Sequence, residues 1–313
     1  SIGISSYPAD GGQRKAHGRH YYLANLSQLG RVNLLGQFGY TYHRFNSMIF
    51  SAPYDFVQGD SPLLVSMPHS GLQLTQTVAN TLTPEALALP DTDWHIPQLY
   101  NFLEAMGVSV VKANYSRYVI DLNRSEDNKP LYEGKTTGLF PHILFNEKTM
   151  FKPEAVANVT HQQACIEHIW RPYHHQLALE LARIKKKFGY AILFDAHSIP
   201  SQVPMFFEGT LPDFNMGTNA GVACSPKLLQ AAEQVIAGTS YTQVSNGRFK
   251  GGYITRSHGQ PRDDIHAFQL ELSQATYMQD VGDYELDENK CAQVRPQLKA
   301  LIEALTSCNL THE

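Results

Sequence analysis

The stretch Tyr190-Ala191-Ile192-Leu193-Phe194-Asp195-Ala196-His197-Ser198 decides how the rest of the chain is read. Its first five residues are an unbroken apolar and aromatic run after Lys185-Lys186-Lys187 and Gly189. Such a run marks a strand buried on both faces, as in a parallel sheet with helices on either side. The run stops at Asp195 and His197, which a period of two places on the same face. Open α/β sheets bind ligands at the carboxyl ends of their strands. This end is therefore either a binding site or a capped strand with a hydrogen-bonded histidine, and the stretch alone leaves both readings open.

Outward from it, Thr160 to Phe188 carries Ile166, Ile169, Trp170, Tyr173, Leu177, Leu181, Ile184 and Phe188 at spacings of three and four, which predicts a long helix. Thr160 reads as its N-cap, Pro172 as a kink and Gly189 as its stop. His161, His168, His174 and His175 are expected on its exposed or half-buried faces, without ligand roles. Pro62 to Met67 reads as a short strand ending in Pro68-His69-Ser70-Gly71, where the proline and the glycine's tight turn hold His69 at the strand end. A helix is expected over Ile96 to Met106, then a strand over Val108 to Val111. The alternation from Tyr115 to Arg124 predicts a third strand, with Arg117, Asp121 and Asn123 on one face. Residues 125–158 read as a long functional or lid-like loop, and residues 199–223 as another loop. Ser225 to Gly238 reads as a helix with Pro226 in its first turn. Residues 246–256 read as a flexible glycine segment leading into a short strand. Ile265 to Ser273 alternates as a strand with Glu271 opposite Phe268, Leu270 and Leu272, and a last helix spans about residues 288–306 with a kink at Pro296.

Composition narrows the function classes. The chain has 313 residues, 42% of them hydrophobic, enough for a sizeable core. A formal charge of −4 gives no basic excess and no pointer to nucleic acid or an anionic membrane. No apolar run is long enough to span a bilayer. Cys165, Cys224, Cys291 and Cys308 are far apart and form no CxxC pair, which fits reduced thiols and a cytoplasmic location. Residues 1–47 lack sustained periodicity and read as an upstream extension, with Met48 a natural start; residues 48–313 then form a single domain.

Three strand ends carry similar punctuation: His69, then Asp195 and His197, then Glu271. Imidazoles and carboxylates are the ligands of a catalytic zinc that keeps a position open for water, and a nearby carboxylate outside the ligand set can move protons. Asp93, in Asp91-Thr92-Asp93-Trp94, is the best-placed third ligand candidate. HExxH, GxSxG, Walker A and GxGxxG signatures are all absent. Arg117, Arg124 and Arg256 could each grip a substrate carboxylate through the guanidinium fork, or form salt bridges or surface charges instead.

Pro68-His69-Ser70-Gly71, Asp91-Thr92-Asp93-Trp94, Ser116 to Arg124, Asp195-Ala196-His197-Ser198 and Gln269 to Ser273 occur in this order. Together they resemble the N-formylglutamate amidohydrolase family, over about Phe56 to the last helix. The resemblance implies an α/β three-layer sandwich with a central mixed, mostly parallel sheet, related to the zinc carboxypeptidases. It implies zinc-dependent hydrolysis of N-formyl-L-glutamate to glutamate and formate in histidine degradation. By that relation His69 and His197 are expected as zinc ligands and Glu271 as the general acid/base. Carboxypeptidases take their carboxylate ligand three residues after the first histidine; Leu72 stands there in this chain, so the role passes to Asp93. Asn123-Arg124 resembles the pair that holds a terminal carboxylate, and Arg117 and Arg256 would suit the second carboxylate of a small dicarboxylate substrate. Two other readings remain: a deacylase or carboxypeptidase-like hydrolase of another N-acyl amino acid, and a non-catalytic metal- or carboxylate-binding protein on the same fold.

Overall fold

In a computed structural model of the chain, residues 50–130, 136–279 and 284–310 are described. The reading of residues 1–47 lies outside them. The strands are β1 (Tyr54–Val57), β2 (Leu63–Met67), β3 (Ser109–Ala113), β4 (Ala191–Ile199), β5 (Phe214–Gly217), β6 (Gln243–Ser245) and β7 (Ile265–Ser273). They form one seven-stranded sheet in the order β1-β3-β2-β4-β7-β5-β6. The core β3-β2-β4-β7 is parallel, β1 is antiparallel to β3, and β5 is antiparallel to β7. The helices are α1 (Gln76–Thr81), α2 (Pro84–Leu87), α3 (Ile96–Leu99), α4 (Val159–Cys165), α5 (Arg171–Phe188), α6 (Pro226–Ala237), α7 (Tyr253–His258) and α8 (Glu288–Ser307).

The period of two on β4 sorts its side chains between two helical layers. Ile192, Phe194 and Ala196 join Leu63, Val65, Phe268, Leu270 and Leu272 in a cluster completed by residues of α3, α6 and α8. Ala191, Leu193 and Ala267 join Tyr173, Leu177, Leu181 and Ile184 of α5, with Ile254 of α7, on the other face. The fold is the expected α/β three-layer sandwich, and both faces of its central strands are closed, which explains their near-continuous apolar sequence. None of the helices among the described residues is long and apolar enough to cross a membrane.

Several local expectations give way to tertiary context. Residues 115–124 are turns rather than a third strand: Tyr118 to Asn123 are all buried, so the alternation never selects an exposed face. Asp121 Oδ1 accepts the Asn123 amide at 2.9 Å, and this local side-chain bond replaces a sheet ladder. Residues 253–258 are the short helix α7 where a strand was expected, because the Ile254 amide donates to Asn123 Oδ1 at 2.9 Å instead of pairing with a neighbouring strand. The expected helix over 96–106 is only α3 and a separate 3-10 turn at Glu104–Met106, which ends at Gly107 with φ 66°. Strands β1, β5 and β6, four residues or fewer, fall in stretches with no strand signal.

The long helix forms, with Asn158 rather than Thr160 as its cap. Its middle, Ile166–Trp170, widens into a π-helical turn that ends two residues before Pro172. Proline lacks an amide and its ring crowds the preceding turn, and the extra residue accommodates that loss. His168 and His175 are exposed as expected, but His161 and His174 are buried. His174 Nε2 donates to Leu122 O at 2.9 Å and its ring lies 4.0 Å from that of Trp170. Burial, aided by neighbouring His258, pushes the His174 pKa down to about 3.

A histidine that is harder to protonate folded than unfolded contributes stability above the unfolded pKa of about 6.5 and loses it as pH falls toward the folded value. At pH 5 this costs about 2 kcal/mol, from roughly 1.4 kcal/mol per pH unit. Between pH 7 and 5, the unfolding free energy of His174→Gln should therefore fall less steeply than that of the wild type in urea titrations. Parallel slopes would show that His174 does not carry this charge penalty.

Candidate active site

Five polar side chains gather at the carboxyl ends of β2, β4 and β7. In the parallel β4–β7 ladder Asp195 pairs with Gln269 and His197 with Glu271, so the two strands present matched polar pairs on one face. His69 follows β2 by two residues, in a turn closed at Gly71. A Cβ at Gly71 would stand 2.2 Å from Tyr115 O, so this close approach requires glycine. The Asp93 amide donates to His69 O at 3.1 Å, which binds the Asp91–Trp94 loop to the β2 turn. Gln274 Nε2 holds the same loop through Thr92 O at 3.0 Å.

His69, Asp93 and His197 form a buried group whose potential ligand atoms all lie within 4.8 Å of one another. Both imidazoles turn Nδ1 toward Asp93 Oδ2, at 3.0 Å for His197 and 3.8 Å for His69. Their Nε2 atoms face carboxylates on the opposite side: His69 meets Asp121 Oδ1 at 2.6 Å and His197 meets Asp195 Oδ2 at 2.8 Å. A carboxylate behind each imidazole is the arrangement that fixes tautomer and ring orientation in histidine metal sites. Arg117 Nη2 donates to the other Asp121 oxygen at 2.8 Å. The arrangement is compatible with a metal ion.

Asp93, Asp121, Asp195 and Glu271 are all buried here, and Asp195 Oδ1 has no hydrogen-bond partner among the described residues. Burial opposes charge on His197, but the carboxylates of Asp195 and Asp93 overcome it and raise its pKa well above the ordinary histidine value. Burial and the Arg117 charge lower that of His69 despite Asp121 and Asp93. Burial also opposes ionisation of Asp121, yet His69, Arg117 and Arg124 hold its carboxyl well below the usual range. For Glu271, burial pushes the pKa up to about 8, with Asp93 and Asp195 acting in the same direction against His197 and Arg117.

His69, Asp93, His197 and Glu271 line a cavity together with Arg117, Asn123, Arg124, Phe145, Phe206, Arg248, Phe249 and Gly252, while Asp121 and Asp195 stand behind the two imidazoles. Asn123 Nδ2 lies 3.2 Å from His197 Nε2. A Cβ on Gly252 would fall 2.2 Å from that Asn123 nitrogen, so only glycine leaves room for the amide. Arg124 is oriented by Thr137 O at 2.7 Å from Nε and by Asn123 O at 2.9 Å from Nη1. Trp170 Nε1, at the end of the π-helical turn, and His174 Nε2, one turn further along, hold the carbonyls of Arg124 and Leu122.

A family model described as N-formylglutamate amidohydrolase matches residues 61–278, a span that carries every one of these cavity groups. The chain belongs to the N-formylglutamate amidohydrolase family. It is an amidohydrolase. The N-formylglutamate deformylase of Pseudomonas putida is 51% identical over 251 residues, covering 80% of this chain and 94% of that protein. The N-formylglutamate deformylase of Pseudomonas aeruginosa is 49% identical with the same coverage. Among solved structures, the N-formylglutamate amidohydrolase of Ralstonia eutropha JMP134 shares the fold, with a TM-score of 0.71 at 23% identity over 82% of this chain and 96% of that one.

Within this family fold the structure brings together His69, Asp93, His197, Glu271, Arg117, Asn123 and Arg124. Arg256 is separate: it lies on α7, its Nε donates to Gly251 O at 2.9 Å, and it does not line the cavity. The choice between substrate grip and salt bridge for Arg117 includes the bridge, since Asp121 takes its Nη2. Sequence reasoning passed over Asp121 and Asp195 as orienting carboxylates and Arg248 as a cavity residue. The signal for Asp195 was its shared face with His197; Asp121 was hidden by the false strand.

Asp121→Asn should keep the fold but weaken the orientation of His69. Divalent-cation affinity, measured by competition with a chelating dye, should drop about 10- to 100-fold. Unchanged affinity would mean that Asp121 serves Arg117 alone.

Proposed function

We propose that the protein hydrolyses N-formyl-L-glutamate to L-glutamate and formate, with a divalent cation, zinc, held by His69, Asp93 and His197, and that it works in the cytoplasm in histidine degradation. The observation that carries the reading is the pair of imidazoles turned onto Asp93 with Glu271 at the next ladder position, inside a cavity that also holds arginines. The deformylase activity named for two relatives about half identical to this chain supports the substrate. Four free and mostly buried cysteines fit a reducing compartment. Residues 48–313 are proposed as one amidohydrolase domain, since the family match lies wholly inside them.

The donor set suits a cation on physical grounds. Several carboxylates are buried around few positive charges, and such a cluster is costly unless balanced. The raised pKa of His197 has the same cause: the site draws positive charge to the space between Asp93 and Asp195. Two neutral imidazoles and one carboxylate form a common catalytic zinc set. A bound zinc supplies Lewis-acid polarisation and makes water a nucleophile near neutral pH.

The protein's own groups supply the rest of the chemistry. Glu271, as a carboxylate, accepts a proton from the attacking water as its oxygen bonds to the formyl carbon. The carbon–nitrogen bond then breaks, and Glu271 returns that proton to the departing amine, leaving formate and glutamate. Its buried carboxyl, paired across the ladder with His197, is placed to take a proton and give it back. Asn123 and Arg124 hold the α-carboxylate and fix the amide before Glu271, and Arg117 keeps Asp121 ionised behind His69.

Formate release from N-formyl-L-glutamate should require metal and vanish after chelation, returning when zinc is restored. Glu271→Gln should bind metal as the wild type does and lose at least about 100-fold in kcat, the scale of a general acid/base. Near-normal turnover in that variant would remove Glu271 from the mechanism. Absence of formate release by the metal-replete wild type, with release of a larger acyl group from N-acyl glutamates, would replace the substrate.

A further inference from the structure

One wall of the cavity is aromatic and carries a guanidinium at each end. Phe145 and Phe206 pack edge to face with ring centres 4.9 Å apart. Arg117 lies over Phe145 at 5.0 Å, and Arg248 over Phe206 at 5.6 Å and Phe249 at 5.4 Å. The two arginines differ in what they serve. Arg117 is buried and bonded to Asp121, which in turn bonds His69, so its charge belongs to the proposed metal end. Arg248 is half-buried, with Nε donating to Phe206 O at 2.6 Å, and lines the same cavity.

The backbone that carries Arg248 is tied down on both sides, in contrast to the flexible segment its glycines predict. Before it, Asn246 Oδ1 accepts the amides of Thr218 and Ala220 at 2.9 and 3.0 Å, and the Asn246 amide donates to Met216 O of β5 at 2.7 Å. After it, the Gly252 amide donates to Gln269 Oε1 of β7 at 2.7 Å. Arg248 is thus fixed relative to Glu271, two residues from Gln269 on the same strand. A planar guanidinium held by stacking and by its Nε loses little freedom on binding and suits a carboxylate.

We infer that Arg248 grips the side-chain carboxylate of the substrate and sets the enzyme's preference for an acidic amino acid. The inference rests on the proposed hydrolysis of an N-acyl glutamate. The α-carboxylate lies next to the scissile amide and falls to Asn123 and Arg124, beside His197. The side-chain carboxylate extends away from that amide and needs a second cation along the wall. Of the two sequence candidates for that place, Arg117 is bonded to Asp121 and Arg256 does not line the cavity.

The test compares N-formyl-L-glutamate with N-formyl-L-glutamine in wild type and Arg248→Met. The wild type should favour the acid. In the variant, KM for the acid should rise about 10- to 100-fold, the worth of a charge-assisted hydrogen-bonded pair. The amide substrate should change much less, so the preference collapses while its turnover reports a folded site. Arg248→Lys, which keeps charge but not the fork, should fall between the two. A variant that retains the wild-type acid-to-amide ratio overturns the inference, as does equal loss on both substrates in both variants. If the wild type prefers another acyl group, the formyl reading fails, while the same comparison on that acyl series still decides the role of Arg248.

Discussion

Everything at this site depends on one electrostatic constraint: Asp93, Asp121, Asp195 and Glu271 are buried together at the ends of three parallel strands. Carboxylates do not stay ionised in a low-dielectric interior without compensating charge. Arg117 covers Asp121, and the imidazoles of His69 and His197 stand between the remaining groups. The opposite shifts of the two histidines follow from their surroundings. His197 is gripped by two carboxylates, whereas His69 feels Arg117 as well as Asp121. A cation among these side chains relieves the same imbalance that raises His197.

The sheet makes this crowding possible. The parallel core β3-β2-β4-β7 aligns the strand ends, and its ladder brings His197 beside Glu271 with no loop between them. Elements on the α5 face then close the site. The π-helical turn before Pro172 precedes His174 and ends at Trp170, the two side chains that hold the carbonyls flanking Asn123. Gly252 lets the Asn123 amide pass between α7 and His197. A helix irregularity and a missing Cβ thereby position a cavity residue.

The parts legible in the sequence were those written in local periodicity. The apolar run of β4, the alternation of β7 and the helical spacing of α5 all report burial, which the sandwich imposes along whole elements. The polar interruptions at His69, His197 and Glu271 were visible because they break those patterns. Hidden features have non-local causes. Asp121 and Asn123 look like alternate strand positions, yet the Leu139 carbonyl, the Ile254 amide and His69 decide their conformation. Arg248 sits among glycines that suggest flexibility, yet the bonds of Asn246 to β5 and of Gly252 to β7 tie its segment down. Arg256 resembled a binding residue because nothing local distinguishes it from Arg248.

On the proposed reading, the buried carboxylates and paired imidazoles hold one divalent cation. X-ray absorption at the zinc edge of the purified protein tests it most directly. One zinc per chain is expected, with two imidazole nitrogens and carboxylate or water oxygens at about 2.0 to 2.2 Å, and no sulfur. Sulfur in the shell, or a protein that takes up no metal while still releasing formate, would contradict it.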